Sequence, residues 1–186
     1  MAIIAYTSPK GLDREIFLIQ NKVYDSLIAK GWTLYNCYPR AYVNKKDDKN
    51  FTIEYALNNK DYQEVLFNDK INASSFFVLT RSDKKDLRLE KAMLSLIFQV
   101  NATKIKPSVT TRIADEDIVN EITTILYKLP YSIKMLNVKR GIKDVYSDLG
   151  VNMSERNTLS DFFICRFDIE LYYTLNEPTT TTNQII

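Results

Sequence analysis

The sequence predicts an α+β fold: a mixed or mostly antiparallel β-sheet with two main α-helices packed on it. Three observations lead there. Two segments carry apolar residues at helical spacing, and several others alternate with a period of two. These segments do not follow one another in the regular βαβ order that a doubly wound parallel sheet requires. The chain of 186 residues fits one domain, read as 1–177, with a low-complexity and flexible tail over 178–186. Its 45 % apolar content supplies enough hydrophobic surface to offset the chain entropy of folding.

The first helix is expected over 13–30, where Ile16, Ile19, Val23 and Leu27 recur at spacings of three and four. Asp13 is suited to cap it, and Gly31 follows its last turn. Trp32 to Val43 is aromatic and β-branched and reads as a strand, in which Pro39 requires an edge position or a bend. After the charged turn at 45–50, Phe51, Ile53, Tyr55 and Leu57 alternate with Thr52, Glu54 and Ala56, the pattern of a strand with one buried face. Residues 58–72 read as a polar connection around Val65-Leu66-Phe67, and 75–80 as a third strand.

Residues 81–90 are dense in charge and read as a long exposed loop. The strand that follows, 92–100, has apolar residues on both faces and is expected at the sheet centre. The second helix is expected to open at Asp115-Glu116-Asp117 and to run to Leu129, with Ile118, Ile122, Ile125 and Leu126 as its stripe and Pro130 as its stop. Residues 131–160 show only short apolar clusters. Phe162 to Thr174 alternates most clearly: Phe163, Cys165, Phe167, Ile169, Leu171 and Tyr173 share one face, and Arg166, Asp168 and Glu170 the other.

Several chemistries are disfavoured by composition. The chain has no histidine, which removes Ser-His-Asp and Cys-His arrangements and most zinc sites. Its four glycines are isolated, so no glycine-rich phosphate cradle exists. Cys37 and Cys165 are far apart, in no metal-ligand spacing, and read as reduced thiols. The expectation is therefore no catalysis, no cofactor and no metal. The N-terminus lacks the basic flank and apolar core of a signal peptide, and no run reaches the roughly 20 apolar residues of a membrane span. A chain made and used in solution, with no membrane partner, is expected.

Two groups of side chains are candidates for contact. The first is the polar face of the last strand, Arg166, Asp168 and Glu170, read as a solvent face or a charge-paired subunit interface. The second is the basic loops, Lys45, Lys46 and Lys49 with Arg81, Lys84, Lys85 and Arg88, which could face a channel, a partner or phosphate. The acidic triplet at 115–117 reads as a helix start that favours the unpaired N–H groups there, in preference to a metal site. A net charge of only +2 argues against an overall pull towards nucleic acid and leaves only local patches. The 12 tyrosines read mostly as strand and core residues, although tyrosine is also enriched at protein interfaces.

The second half carries a resemblance. Arg112-Ile-Ala-Asp-Glu-Asp-Ile-Val-Asn-Glu-Ile-Thr-Thr-Ile-Leu126, then Gly141-Ile-Lys-Asp-Val145, then Ser160-Asp-Phe-Phe-Ile-Cys-Arg-Phe-Asp-Ile-Glu-Leu-Tyr-Tyr-Thr174 resemble the neck and tail-terminator proteins of tailed bacteriophages. The likeness covers about 90–175 and lies in element order and a loose "Arg-Phe-Asp-Ile-x-Leu-x-Tyr" pattern; 58–91 departs from it. It implies a tail-terminator-like fold and a structural virion protein, assembled in the host cytoplasm. Such a subunit would form a homo-oligomeric ring, a hexamer or dodecamer, at the head–tail junction. The implied partners are copies of itself, portal or connector proteins, tail-tube proteins, and DNA passing through the channel. A nucleic-acid-binding module using basic loops and exposed aromatics is the alternative, and a carboxylate-based enzyme the third reading.

Overall fold

The structure, a computed structural model, describes residues 2–46, 51–57, 61–65, 70–85, 89–109, 111–129, 133–151 and 162–174. Its strands are β1 (Ala2–Ile3), β2 (Tyr35–Lys45), β3 (Phe51–Tyr55), β4 (Gln63–Glu64), β5 (Ala73–Lys84), β6 (Leu89–Asn101), β7 (Ile133–Arg140) and β8 (Phe162–Thr174). Its helices are α1 (Leu12–Ala29), α2 (Ala102–Ile105), α3 (Thr111–Tyr127) and α4 (Ile142–Tyr146). The strands form one sheet in the order β4-β3-β2-β5-β6-β8-β7, with β1 added beside β2. Only the β1–β2 and β2–β5 pairs are parallel, so the sheet is mixed and mostly antiparallel.

The α+β class is as expected, and the long closing strand lies where its alternation places it. β8 pairs with β6 without a register shift from Leu89↔Thr174 to Asn101↔Phe162. Cys165, Phe167, Ile169, Leu171 and Tyr173 face the core shared with α1 and α3. The apolar stripe of α1, Leu12, Ile16, Ile19, Val23 and Leu27, closes that core from above. A second cluster occupies the opposite face, where Val145 and Tyr146 of α4 cover Phe76, Ile97 and Ile164 together with Ile53, Tyr55 and Val65. A sheet covered on both faces explains why β6 is apolar on both sides.

α1 ends in a Schellman arrangement, with Gly31 N–H donating to the Ile28 carbonyl and Trp32 N–H to that of Leu27. That cap requires the positive φ of 89° found at Gly31, so the glycine is structural. Trp32 is therefore a buried residue after the helix and precedes the strand it was assigned to. Asp13 is not the cap. Gly11 holds that position without a side-chain bond, and Asp13 turns to Arg40 instead.

Pro39 lies inside β2, at the irregularity where its register with β5 shifts between Cys37 and Arg40. The bend is realised, and on its outer side β2 pairs with β1 at Asn36 and Cys37 and with β3 from Tyr42 onward, so Pro39 falls in the gap between those two partners. The buried amide of Gln20 on α1 donates to the Tyr38 carbonyl beside that bend. This polar residue on an otherwise apolar helix face thus satisfies a backbone acceptor that would be costly to bury bare.

Three further expectations are corrected. The charged segment after residue 80 is not a long loop: β5 continues to Lys84 and β6 begins at Leu89. β5 beyond Thr80 and β6 before Ala92 contribute no residue to either core cluster, so no apolar alternation marks them. Instead Asp83 faces Lys91 and Lys84 faces Glu90 across the strands, opposite charges that favour the pairing. The second helix begins at Thr111, four residues before the acidic triplet, and buried Ala114 continues its stripe upstream. The irregular stretch after 130 contains β7, whose alternation is broken by a register shift between Met135 and Asn137. Leu66, Phe67, Pro130 and the 178–186 tail lie outside the described residues.

Candidate functional site

The strand directions gather the basic residues. β2 and β5 run parallel, so Lys45 and Lys46 at the end of β2 lie at the same end of the sheet as the β5–β6 turn. That turn carries Arg81, Lys84 and Lys85, and all five of these side chains are exposed. Arg81 is held by Asp83, its Nε 2.8 Å from Oδ1. Pairing between β2 and β5 stops at Ala41↔Val78, whereas β5, β6 and β8 run on together. The basic turn is therefore carried on a three-stranded extension of the sheet. Lys49 and Arg88 lie outside the described residues.

Arg166, Asp168 and Glu170 do share a face of β8, but their roles differ. Arg166 is 3 % exposed and fully engaged within the chain. Its Nε donates to Asp168 Oδ1 at 2.6 Å and its Nη1 to the Val145 carbonyl at 3.0 Å. Both terminal nitrogens also reach Asp148, with Nη2 at 3.0 Å from Oδ2. Ser95 on β6 donates to Asp168 at 2.8 Å, and Lys91 pairs with Glu170. Arg166 thus fastens the turn after α4 to the sheet, and only Asp168 and Glu170 retain any surface.

The hydrogen bonds from Arg166 hold the Asp148 carboxyl down at about 2, against the opposing effect of partial burial. A carboxylate depressed below its unfolded value of ~3.9 stabilises the fold above that pH. This contribution is expected to fade as pH falls from about 4 towards 2. Asp148→Asn should therefore flatten the acid limb of a stability-against-pH curve in that window, measured by urea unfolding; an unchanged limb would contradict the assignment.

Within the acidic triplet, Glu116 makes a two-point ion pair with Arg140 at the end of β7, and its Oε2 lies 3.1 Å from Nη2. Burial and the neighbouring Glu116 push the Asp115 carboxyl up. Asp115, Glu116, Arg140, Phe162 and Phe163 line a hollow of about 510 Å³. Among the described residues no group of three or more Cys, Asp or Glu side chains could hold a metal. None of the described helices is long and apolar enough to cross a membrane.

A larger cleft, about 580 Å³, opens between the segment leading into α1, strand β2 and the segment after β3. Tyr6, Lys10, Asp13, Tyr42 and Tyr62 line it. Arg40 organises its floor: Nε lies 2.8 Å from Asp13 Oδ1, Nη2 donates to the Tyr42 hydroxyl at 3.1 Å, and the guanidinium sits 5.1 Å from that ring's centre. Tyr62 stands at right angles to Tyr42, with ring centres 6.2 Å apart. Sequence reading did not find this cleft, because its residues come from three separated segments with no shared spacing.

Cys37, Tyr35 and Ser75 form a buried polar group in the core. Cys37 donates to the Tyr35 hydroxyl at 2.8 Å, and Tyr35 and Ser75 share a bond of 2.7 Å. Burial pushes the Cys37 thiol up to about 11, and burial pushes Cys165 up as well. Cys37, Ser75, Phe98 and Cys165 occupy one cross-strand row. Three strand spacings, about 14 Å, separate the cysteines, too far for a disulfide. Both are expected to resist a thiol-modifying reagent in the native protein and to react together on unfolding; reaction of either without unfolding would contradict this burial.

The two lateral edges of the sheet complete the surface. Among the described residues β7 is paired on one side only, and Lys134, Leu136, Asn137 and Arg140 along it are exposed. At the other edge Asp61, Tyr62, Gln63 and Glu64 are all exposed. No known family model and no curated protein matches the chain.

Proposed function

We propose that the chain is a structural virion protein of a tailed bacteriophage, a subunit of a homo-oligomeric ring at the neck or tail that encircles the passage for DNA. The observation that carries this reading is the eight-stranded sheet, whose β7 edge has no further partner strand among the described residues. Eight residues of strand with an unpaired outer side are an association surface, since free N–H and C=O groups template pairing with another chain. Exposed Leu136 on β7 and exposed Ile113 and Tyr127 on α3 add apolar contact area. The sequence runs that resemble the terminator group map onto α3, α4 and β8, a helix, a short connecting helix and the long closing strand. The finer assignment, terminator or head–tail joining ring, rests on that resemblance.

In this role the fold acts by geometry. Sheet edges contact neighbouring subunits, and the basic end of the sheet offers Lys45, Lys46, Arg81, Lys84 and Lys85 to an adjacent ring or to DNA. The expected result is a ring of defined copy number when the purified chain is examined by native mass spectrometry and electron microscopy. A chain that stays monomeric, alone and with portal-proximal proteins, would overturn the reading. Convergence of the same five basic residues is what favours the second reading, a nucleic-acid-binding module. Tight DNA binding by the monomer, weakening steeply with salt, would support that alternative instead.

A further inference from the structure

Resting on the ring reading above, we propose that the ring closes head to tail: the β7 edge of one copy meets the β3–β4 edge of the next. The two edges differ in charge. β7 contains Lys134, Lys139 and Arg140 and no acidic residue. The described residues of the opposite edge, 51–57 and 61–65, contain Glu54, Asp61 and Glu64 and no basic residue. Within the chain, Lys139 is paired with Asp148 and Arg140 with Glu116, while exposed Lys134 stands opposite Glu170 across the β7–β8 register.

Charge decides between the ways two copies can meet. Joining β7 to β7 sets lysines and arginine against one another, and joining β4 to β4 opposes carboxylates; like charges across paired strands are unfavourable. Joining β7 to β4 sets cations against anions. Apolar contacts agree with this choice, because Leu136 is 42 % exposed on one edge and Tyr62 is 55 % exposed on the other. An aliphatic side chain against an aromatic ring is a favourable cross-strand pair. The two edges terminate opposite sides of one sheet, so the contact uses different surfaces on each copy. Such heterologous contacts propagate in one direction and generate closed rings when the rotation permits, whereas a self-complementary contact would stop at a dimer.

Charge reversal tests this on the full chain. Lys134→Glu makes both edges less complementary, and so does Asp61→Lys combined with Glu64→Lys. Each protein alone should assemble at least tenfold more weakly than the unaltered chain while keeping its circular dichroism spectrum. An equimolar mixture should recover the ring, because each reversed edge then finds its opposite on the other protein, with the two alternating. Unaltered assembly of both variants would overturn the proposal, as would failure of the mixture to recover it. Should a reversed variant misfold, Leu136→Cys with Tyr62→Cys in the otherwise native chain provides a second measurement. Oxidation should trap a ladder of linked copies, with Cys37 and Cys165 buried away from the reaction; absence of a ladder overturns the proposal. An unaltered chain that never assembles sinks the ring reading itself, whereas a ring insensitive to both tests sinks only the edge pairing.

Discussion

Phe98→Ala is expected to remove about 4 kcal/mol of folding stability, among the largest losses available to a single core substitution. Phe98 is fully buried near the middle of β6, between Ser75 of β5 and Cys165 of β8 in the cross-strand register. Its ring meets Phe167 edge-on at 6.0 Å, Trp32 edge-on at 6.3 Å and Tyr35 in a stacked arrangement at 6.4 Å. Truncation therefore opens a cavity walled by aromatic rings, which are too large and too constrained to collapse into it. Phe98→Leu retains most of the volume and should cost about 1 kcal/mol. Trp32, the single tryptophan, touches the site and reports on it by fluorescence. Urea unfolding at matched protein concentration measures both variants; equal losses, or a loss below about 1 kcal/mol for alanine, would contradict the packing described.

That aromatic row also shows what a sequence can and cannot disclose. β8 and α1 were legible because each lies over a continuous core, so burial imposes its period of 2 or 3.6 on the residues themselves. β7 was not legible, because the bulge between Met135 and Asn137 breaks the parity of its alternation: Ile133, Met135 and Val138 all pack on one core, yet Val138 is out of step with the other two. The ends of β5 and β6 were hidden for a different reason. They extend beyond the core, and their mark is the mirrored order Asp83-Lys84 and Glu90-Lys91, which pairs only once the strands are folded back. The start of α3 was masked by the acidic triplet, which suits a first turn but lies in the second.

The candidate site was legible in composition and not in arrangement. The basic segments were recognisable, yet the meeting of Lys45 and Lys46 with Arg81, Lys84 and Lys85 at one end of the sheet follows from the parallel β2–β5 pair, a long-range fact with no local mark. Arg166, Asp168 and Glu170 looked equivalent by alternation. Only the segment around Asp148 and Val145, folded over that face, separates a buried arginine from two partly exposed acids. The Arg40–Asp13–Tyr42 floor of the cleft likewise joins the first turn of α1 to β2, and neither residue pattern announces the other.

Arg166→Ala should cost about 3 kcal/mol, a loss that comes from what the arginine leaves behind. Removing the guanidinium strips the Val145 carbonyl of its donor and leaves Asp168, 19 % exposed, with Ser95 as a neutral partner. Asp148 is half exposed and can turn to water, so Asp148→Asn should cost less than about 1 kcal/mol. The two halves of the same ion pair are therefore expected to be unequal. Arg166→Met separates packing from charge: it refills the volume but still buries an unpaired carboxylate, and should remain destabilising. Adding Asp168→Leu to that variant removes the stranded charge, and the pair should recover most of the loss, since well-packed apolar replacements of a buried ion pair are often neutral. Urea unfolding of the single and double variants gives the coupling, and amide exchange in α4 should quicken in Arg166→Ala, because that residue fastens the helix to β8. Additive losses in Arg166→Met and Asp168→Leu would mean that the two side chains act independently, and that the clamp over this face of the sheet is held by α4 packing alone.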